Sequence, residues 1–217
     1  MKIEQFKKLP LMGILRDVEA EVLEPLTETI ITAGLKTVEI TMNTTAAATL
    51  IRHMKDKAGN SLSVGAGTVL SLDDARRACA AGAQFIVMPV LVRDVMDYCV
   101  REGIPAFPGA LTPTEILEAW RSGATMVKVF PASHFGPAYF NEVRGPFRDI
   151  GLLACGGVTV ENLSRFFSCG AQAVAFGGSV FKKKWLDDRH FSYIGDVIKD
   201  LVTAFERYYN DTGNAID

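Results

Sequence analysis

The feature that most restricts the fold of this chain is a regular alternation of short apolar runs with helical patterns along its 217 residues. The apolar runs have the length and composition of buried strands, and each is followed by a segment with helical spacing. Eight such units, spaced roughly 20–25 residues apart, predict a compact (β/α)8 TIM barrel of the α/β class. Strands are predicted at 11–16, 37–42, 63–68, 85–89, 105–110, 126–131, 151–157 and 173–178.

Helical patterns lie between these strands, with a short helix expected over 136–143 and another over 2–8. A capping box at Thr112-Pro113-Thr114-Glu115 marks one helix start, and glycine follows several predicted helix ends. An open doubly wound sheet is the main alternative, but six strands usually suffice for it, and no Gly-x-Gly-x-x-Gly follows the first strand. We expect residues 1–217 to form a single barrel domain. The remaining helices are predicted at 19–33, 44–57, 71–81, 91–102, 112–122, 159–169 and 190–209.

Composition excludes several classes of function. The net charge is −2, with 48% hydrophobic and 22% charged residues, and no basic block points to nucleic acid. No apolar run approaches the length of a membrane span, and Lys182-Lys183-Lys184 is interpreted as a solvated loop. The cysteines and histidines lack metal-type spacing, so we expect no metal or other cofactor and a reduced cytoplasmic protein. These residues are Cys79, Cys99, Cys155, Cys169, His53, His134 and His190.

Lys128 stands inside the apolar run Met126-Val127-Lys128-Val129-Phe130-Pro131, which predicts a buried strand. Lysine is almost never buried unless it is paired or functional. Burial disfavours the charged form of an amine, and a neutral amine is a nucleophile that forms Schiff bases with carbonyl compounds. The alternative is an edge-strand lysine that protects the sheet from aggregation.

Strand alternation places Lys128 and Glu39 on the inward face of the barrel, because their neighbours Val127, Val129, Val38 and Ile40 suit the layer beneath the helices. Two further polar residues end strands, Arg16 on the first and Thr68 on the third. Active sites of this fold gather at the carboxyl ends of the strands, so the four side chains should meet in one cavity. Each also has a structural explanation: an exposed pair with Asp17 for Arg16, a buried ion pair for Glu39 with Lys128, and ordinary strand propensity for Thr68.

Paired glycines follow the last two strands, in Cys155-Gly156-Gly157 and in Phe176-Gly177-Gly178-Ser179. Glycine lets backbone N–H groups approach an anion closely, although tight turns also use it. The loops after strands seven and eight form the phosphate site of many such barrels, assisted by a helix N-terminus. Here Val158-Thr159-Val160-Glu161 is predicted to start that helix. The pattern indicates a small phosphorylated ligand.

Taken together, five motifs resemble the 2-keto-3-deoxy-6-phosphogluconate (KDPG) and 4-hydroxy-2-oxoglutarate (KHG) aldolases over residues 8–205. The motifs are Val38-Glu39-Ile40-Thr41, Val64-Gly65-Ala66-Gly67-Thr68-Val69, Phe107-Pro108-Gly109, Val127-Lys128-Val129-Phe130-Pro131-Ala132 and Gly156-Gly157-Val158-Thr159.

The resemblance implies a trimeric barrel that works without metal as a class I aldolase. It implies Lys128 as the Schiff-base residue, Glu39 as the proton shuttle, and Arg16 and Thr68 at the substrate carboxylate. The phosphate would lie against Gly156, Gly157, Gly177, Gly178 and Ser179. The implied reaction cleaves a phosphorylated 2-keto-3-deoxy sugar acid to pyruvate and glyceraldehyde 3-phosphate. We expect about one water between Glu39 and the amine, since direct contact with a carboxylate would keep the amine charged.

The chain also departs from the gluconate-type pattern. Asn43 stands where an arginine is common. Two more departures fall at positions assigned to substrate binding: Met88-Pro89-Val90, which contains Pro89, replaces the pattern common in the family, and Cys155 replaces a threonine. Asn43 and Phe135-Gly136-Pro137 look more like the galactonate-type branch, so both C4 epimers stay open. Two rival functions also stay open, a phosphosugar isomerase or epimerase that uses Glu39 as a base, and a non-catalytic phosphosugar-binding barrel.

Overall fold

The computed structural model describes residues 1–213, and its core is a barrel of nine parallel strands. The strands are β1 (Leu11–Leu15), β2 (Thr37–Thr41), β3 (Ser63–Gly67), β4 (Ile86–Val87), β5 (Ala106–Phe107), β6 (Gly109–Ala110), β7 (Val127–Val129), β8 (Leu152–Cys155) and β9 (Ala173–Phe176). The helices are α1 (Ile3–Lys8), α2 (Ala20–Thr32), α3 (Ala47–Ala58), α4 (Leu72–Ala80), α5 (Arg93–Glu102), α6 (Pro113–Arg121), α7 (Ala138–Arg144), α8 (Leu163–Ser168), α9 (Lys183–Asp187) and α10 (Phe191–Thr212).

The barrel closes at Pro108, which separates β5 from β6. The predicted fifth strand over 105–110 is found as these two short strands, because its first half pairs with β4 and its second half with β7. The sheet order β5-β4-β3-β2-β1-β9-β8-β7-β6 therefore begins and ends on one continuous segment of chain. Proline has no N–H to donate, but the carbonyl of Pro108 accepts a 2.9 Å hydrogen bond from the Lys128 N–H. The predicted (β/α)8 barrel is confirmed.

Strand alternation divides the core into two apolar layers, as the sequence pattern predicts. The larger layer lies between strands and helices and includes Val38, Ile40, Val127 and Val129. The smaller layer fills the barrel interior with the side chains of Met12, Phe85, Phe107, Met126, Leu153 and Cys155. The face of β7 that carries Lys128 is therefore the inner face.

Helix α1 covers the end of the barrel opposite to the carboxyl ends of the strands. Its buried Phe6 contacts Phe107 edge to face with ring centroids 5.8 Å apart, and Phe85 contacts the same ring at 6.0 Å. Edge-to-face pairs of this kind add to the free energy that burial alone supplies. This aromatic cluster fills the floor of the barrel and leaves the other end for a cavity.

Local end signals fix several helix boundaries. Both halves of the predicted capping box form at α6, where the Thr112 side chain accepts from the Glu115 N–H and the Glu115 carboxylate accepts from the Thr112 N–H. Helix α5 ends at Gly103, whose φ of 67° is a left-handed conformation that glycine adopts without steric cost. None of the helices within residues 1–213 has the length and apolar content of a membrane span.

Two predicted segments differ from the structure. The loop predicted over 182–184 is wrong for Lys183 and Lys184, which begin α9, although all three lysines are exposed as expected. The His190 N–H donates to the Trp185 carbonyl just after the end of this helix. The helix predicted from 159 begins only at Leu163. Asn162 explains this delay, because its side-chain oxygen accepts the Thr159 N–H at 2.9 Å and its amide donates to the Gly157 carbonyl at 2.8 Å. The side chain thus holds residues 157–162 as a turn.

Candidate active site

A cavity of about 500 Å³ opens at the carboxyl ends of the strands. It has the size and position expected of a small-molecule site in this fold. Its wall contains every residue that the sequence predicts for the site except Glu39, namely Arg16, Thr68, Pro89, Lys128, Cys155, Gly156, Gly157, Gly177, Gly178 and Ser179. The structure therefore brings residues from six strands or their following loops to one place.

Lys128 lies at the centre of β7 and points into this cavity. Only 6% of the residue is exposed, and Nζ lies 5.4 Å from the centroid of the Phe130 ring. The residues paired with it in register are Gly109 on β6 and Leu153 on β8, neither of which offers a charged partner. A buried amine that faces a cavity and has no carboxylate partner is suited to react with a bound carbonyl compound.

Glu39 points inward from β2 and lies behind the cavity wall with 1% of its surface exposed. Its Oε2 atom is buried and has no hydrogen-bond partner among the described residues. Burial raises the pKa of this carboxyl, and the positive charges of Lys128 and Arg16 oppose the rise. Because the folded site favours the protonated acid, the group is suited to donate a proton as well as to accept one.

The Glu39 carboxyl and the Lys128 amine are neighbours without direct contact. In the described part of the chain, no oxygen of Glu39 lies within 4.0 Å of Lys128 Nζ. The alternative that the two residues exist as a buried ion pair is therefore not the observed arrangement. The separation agrees with an acid that acts at a distance, while the intervening water stays a prediction.

Cys155 ends β8 beside Lys128 on the inner face of the barrel. Burial raises the pKa of its thiol, and the positive charge of Lys128, together with a hydrogen bond from that side chain, acts in the opposite direction. The neutral thiol is a small and weakly polar group at the cavity wall. Its contact with the amine makes it part of the immediate surroundings of Lys128.

The loop after β1 carries Arg16 and Asp17 into the cavity wall. Asp17 has a left-handed φ of 51°, and its N–H donates a 3.1 Å hydrogen bond to Thr44 Oγ1. Thr44 Oγ1 also lies 3.0 Å from Thr41 Oγ1 in a buried pair. These threonines, which sequence reasoning missed, connect the Arg16 loop to β2. No ion pair joins Arg16 to Asp17 within the described part of the chain, which leaves the guanidinium available to a ligand.

Thr68 follows β3 with a φ of 52°, which is unfavourable for a β-branched residue. Strained backbone of this kind persists where the surrounding structure demands it, and it is frequent at functional sites. Here the turn places Thr68 in the cavity wall directly after Gly67.

The two glycine loops, residues 156–157 and 177–179, meet at one side of the cavity. Gly156 and Gly157 have φ values of 104° and 73°. Ser179 Oγ donates a 2.8 Å hydrogen bond to the Val158 carbonyl and so joins the two loops. The hydroxyl proton of Ser179 is therefore already used, and an anion here would rely on backbone N–H groups. The predicted helix N-terminus does not contribute, because α8 begins only at Leu163, well beyond the glycine pair.

Lys183 and Asp187 on α9 also line the cavity, although no sequence pattern predicts a role for them. Lys183 Nζ lies 2.9 Å from Asp187 Oδ1, and both side chains are largely exposed. The only sequence signal is the run of three lysines, which by itself is typical of a solvated surface. Residues 1–213, including those of the cavity, contain no group of three His, Cys, Asp or Glu side chains that is arranged to hold a metal ion.

Comparison with known proteins agrees with this geometry. The family model described as KDPG and KHG aldolase matches residues 3–197. The chain is 34% identical over 176 residues to the 2-dehydro-3-deoxy-6-phosphogalactonate aldolase of Escherichia coli K12, covering 81% of this chain and 86% of that one. It is also 34% identical over 178 residues to the 2-dehydro-3-deoxy-phosphogluconate aldolase of Treponema pallidum Nichols, covering 82% of both.

A solved structure described as native KDPGal superposes with a TM-score of 0.88 at 30% identity, covering 94% of this chain and 97% of that one. The match of the family model extends over almost all of the barrel, from α1 into α10. The chain therefore belongs to the KDPG and KHG aldolase family.

Proposed function

We propose that this protein is a class I aldolase that cleaves 2-keto-3-deoxy-6-phosphogluconate, or its galactonate epimer, to pyruvate and glyceraldehyde 3-phosphate. The observation that carries the proposal is a buried amine, Lys128, in the cavity wall with a buried carboxyl, Glu39, behind that wall, in a member of the KDPG and KHG aldolase family. The amine supplies the nucleophile and the carboxyl supplies the proton transfers that a Schiff-base cleavage requires.

The reaction begins when the neutral Lys128 amine attacks the C2 carbonyl of the substrate. Burial raises the pKa of Glu39 and so favours its acid form, which gives a proton to the resulting hydroxyl, and water leaves to form the iminium ion. The Glu39 carboxylate then accepts the proton of the C4 hydroxyl through one water. The C3–C4 bond breaks, its electron pair moves into the iminium to give an enamine, and glyceraldehyde 3-phosphate departs. Glu39 returns the proton to C3, and hydrolysis of the new iminium releases pyruvate and regenerates the amine.

The cavity offers matching contacts at both ends of such a substrate. Arg16 supplies a guanidinium that suits bidentate binding of the carboxylate, with Thr68 beside it. The two glycine loops supply backbone N–H groups for the phosphate. We place Pro89 and Cys155 against the carbon chain between these ends.

Borohydride trapping tests the covalent mechanism. Reduction in the presence of pyruvate should add one stable pyruvate-derived mass at Lys128, located by peptide mass spectrometry. Lys128→Ala should lose both the adduct and cleavage while it keeps the circular dichroism of the barrel. An unmodified Lys128 would exclude the Schiff base and favour the rival isomerase or epimerase, whereas trapping without pyruvate release from any substrate would favour a binding protein.

The preferred C4 epimer is a separate question. Galactonate-type and gluconate-type relatives have equal identity to this chain, so we propose that both epimers are tested side by side. Pyruvate release coupled to a dehydrogenase, measured as kcat/KM for each epimer and for 4-hydroxy-2-oxoglutarate, ranks the three substrates. The galactonate form is expected to be the better one because of Asn43 and Phe135-Gly136-Pro137.

We propose a homotrimer in the cytoplasm. The support for an oligomer is a set of large apolar side chains that are exposed in loops following the strands, namely Leu70, Val90, Phe130 and Phe135. Val90 and Phe130 line one groove there, and Phe130 also belongs to the wall of the active-site cavity. Exposed apolar groups of this kind mark interaction sites. Light scattering should give three times the mass of the chain. The support for a reducing compartment is that Cys79, Cys99, Cys155 and Cys169 are all free.

A further inference from the structure

The carboxyl group of Glu39 lies directly over the Cα atom of Gly67. A Cβ added to Gly67 would lie 2.5 Å from Cδ and 3.0 Å from Oε2 of Glu39, and closer still to Oε1. Real Cβ atoms essentially never approach other heavy atoms to such distances, so no side chain fits at position 67 while the carboxyl keeps its place. The volume that a methyl group would occupy at Gly67 is the volume that the acid uses.

The register of the sheet explains this arrangement. Glu39 pairs with Gly65, and Gly67 pairs with Thr41, so the glutamate side chain leans along its strand toward the carboxyl end of the barrel. The carboxyl therefore lies at the level of the Thr41–Gly67 pair, which is nearer to the cavity than the Glu39–Gly65 pair. Gly65, on the same face of β3, serves a different neighbour, because its added Cβ would lie 2.5 Å from the Phe85 ring.

The Glu39 carboxyl has few other constraints. Its Oε2 atom has no hydrogen-bond partner in the described residues, and no ion pair within them holds the group. Buried polar groups are ordinarily fixed by hydrogen bonds. The shape of the space above Gly67 is thus the main feature that determines where this acid sits.

We propose that Gly67 is a positioning residue, which sets the Glu39 carboxyl at its place for proton transfer by leaving the space that admits it. The inference rests on the proposed function, in which Glu39 moves protons for Lys128. An alanine at position 67 forces the carboxyl sideways, away from the substrate or away from the water that connects it to the amine. Displacements of this order are costly for a general acid, whose contribution is roughly 10²–10⁴-fold in rate.

A double-mutant cycle tests the proposal. Gly67→Ala is expected to lower kcat at least tenfold and to shift the pH profile of kcat, with little change in KM. Borohydride trapping of pyruvate on Lys128 at long incubation should persist. In the Glu39→Gln background, Gly67→Ala should cost almost nothing further, because the group through which it acts is already disabled. The matched control is Gly65→Ala, which presses on Phe85 and should cost stability by the same amount in both backgrounds.

Two results would overturn the inference: wild-type kcat and pH profile in Gly67→Ala, or an equal loss from Gly67→Ala with and without Glu39. Should Gly67→Ala fold poorly, Glu39→Asp supplies a second test, because the shorter acid leaves room for the methyl group. Gly67→Ala combined with Glu39→Asp should then fold and turn over like Glu39→Asp alone, and failure to do so also refutes the proposal. Full turnover by Glu39→Gln itself would instead refute the role of Glu39 in the proposed function.

Discussion

The buried carboxyl of Glu39 should make the free energy of unfolding of this barrel depend on pH with a definite sign. Burial raises the pKa of the folded-state carboxyl above its ordinary value of 4.5. Between these two pKa values the folded protein holds a proton that the unfolded chain has lost, so stability falls as the pH rises. Glutamine has a similar size and no proton to lose. Glu39→Gln should therefore gain stability relative to wild type as the pH increases.

The magnitude follows from linkage. One proton contributes at most about 1.4 kcal/mol per pH unit over the interval between the unfolded and folded pKa values. The difference in unfolding free energy between Glu39→Gln and wild type should grow at up to that slope above pH 4.5. It should become constant once the pH exceeds the pKa of Glu39 in the folded protein. Urea unfolding at a fixed protein concentration, repeated between about pH 5 and pH 8, measures it, and the fixed concentration removes the effect of assembly.

An exposed glutamate provides the matched control. Glu24 accepts a 2.6 Å hydrogen bond from Lys57, which lowers the pKa of its carboxyl. Its contribution to stability is present above the unfolded pKa and is lost as the pH falls, which is the opposite trend. The gap between Glu24→Gln and wild type should be constant near neutrality and shrink only in acid. A gap for Glu39→Gln that is independent of pH, or that closes as the pH rises, would show that the carboxyl is not destabilised by burial.

Two further substitutions test the supports of the site. Thr44→Val removes the acceptor of the Asp17 N–H and should raise KM about fivefold, the equivalent of roughly 1 kcal/mol for one hydrogen bond, with kcat preserved. Thr44→Ser keeps the hydroxyl and should behave as wild type, so equal effects of both variants would count against the contact. Phe6→Ala empties the floor of the barrel and should cost about 3–5 kcal/mol of unfolding free energy in urea titrations. Its kcat should be unchanged at a temperature where it is folded, since the cavity lies at the other end, and a large loss of kcat would contradict that separation.

The barrel and the composition of its cavity wall were predictable because both depend on local patterns. Alternation along β2 and β7 placed Glu39 and Lys128 inward, and the rule for carboxyl ends of strands gathered Arg16 and Thr68 with them. Those patterns repeat within a few residues, so a single sequence contains them.

The features that sequence reasoning missed depend on contacts between distant segments. Thr44 receives the Asp17 N–H across 27 positions, and Ser179 reaches the Val158 carbonyl across 21. The delayed start of α8 depends on which partner Asn162 chooses, and the division of the fifth strand depends on which neighbour each half meets. Spacing within one segment carries no information about such choices, since they are made only when the barrel closes.

The junction at Pro108 has a consequence for the mobility of the site. The barrel consists of one arc from β1 to β5 and another from β6 to β9. The arcs are joined on one side by the ladder between β1 and β9, and on the other by Pro108 and by the hydrogen bonds between Ala106 and Thr125. Pro108 accepts the backbone N–H of Lys128, so the strand of the reactive amine is hydrogen-bonded directly to the point where the two arcs meet. Glu39 belongs to one arc and Lys128 to the other. A relative movement of the two arcs would therefore change the distance between the Glu39 carboxyl and the Lys128 amine, across which protons are transferred.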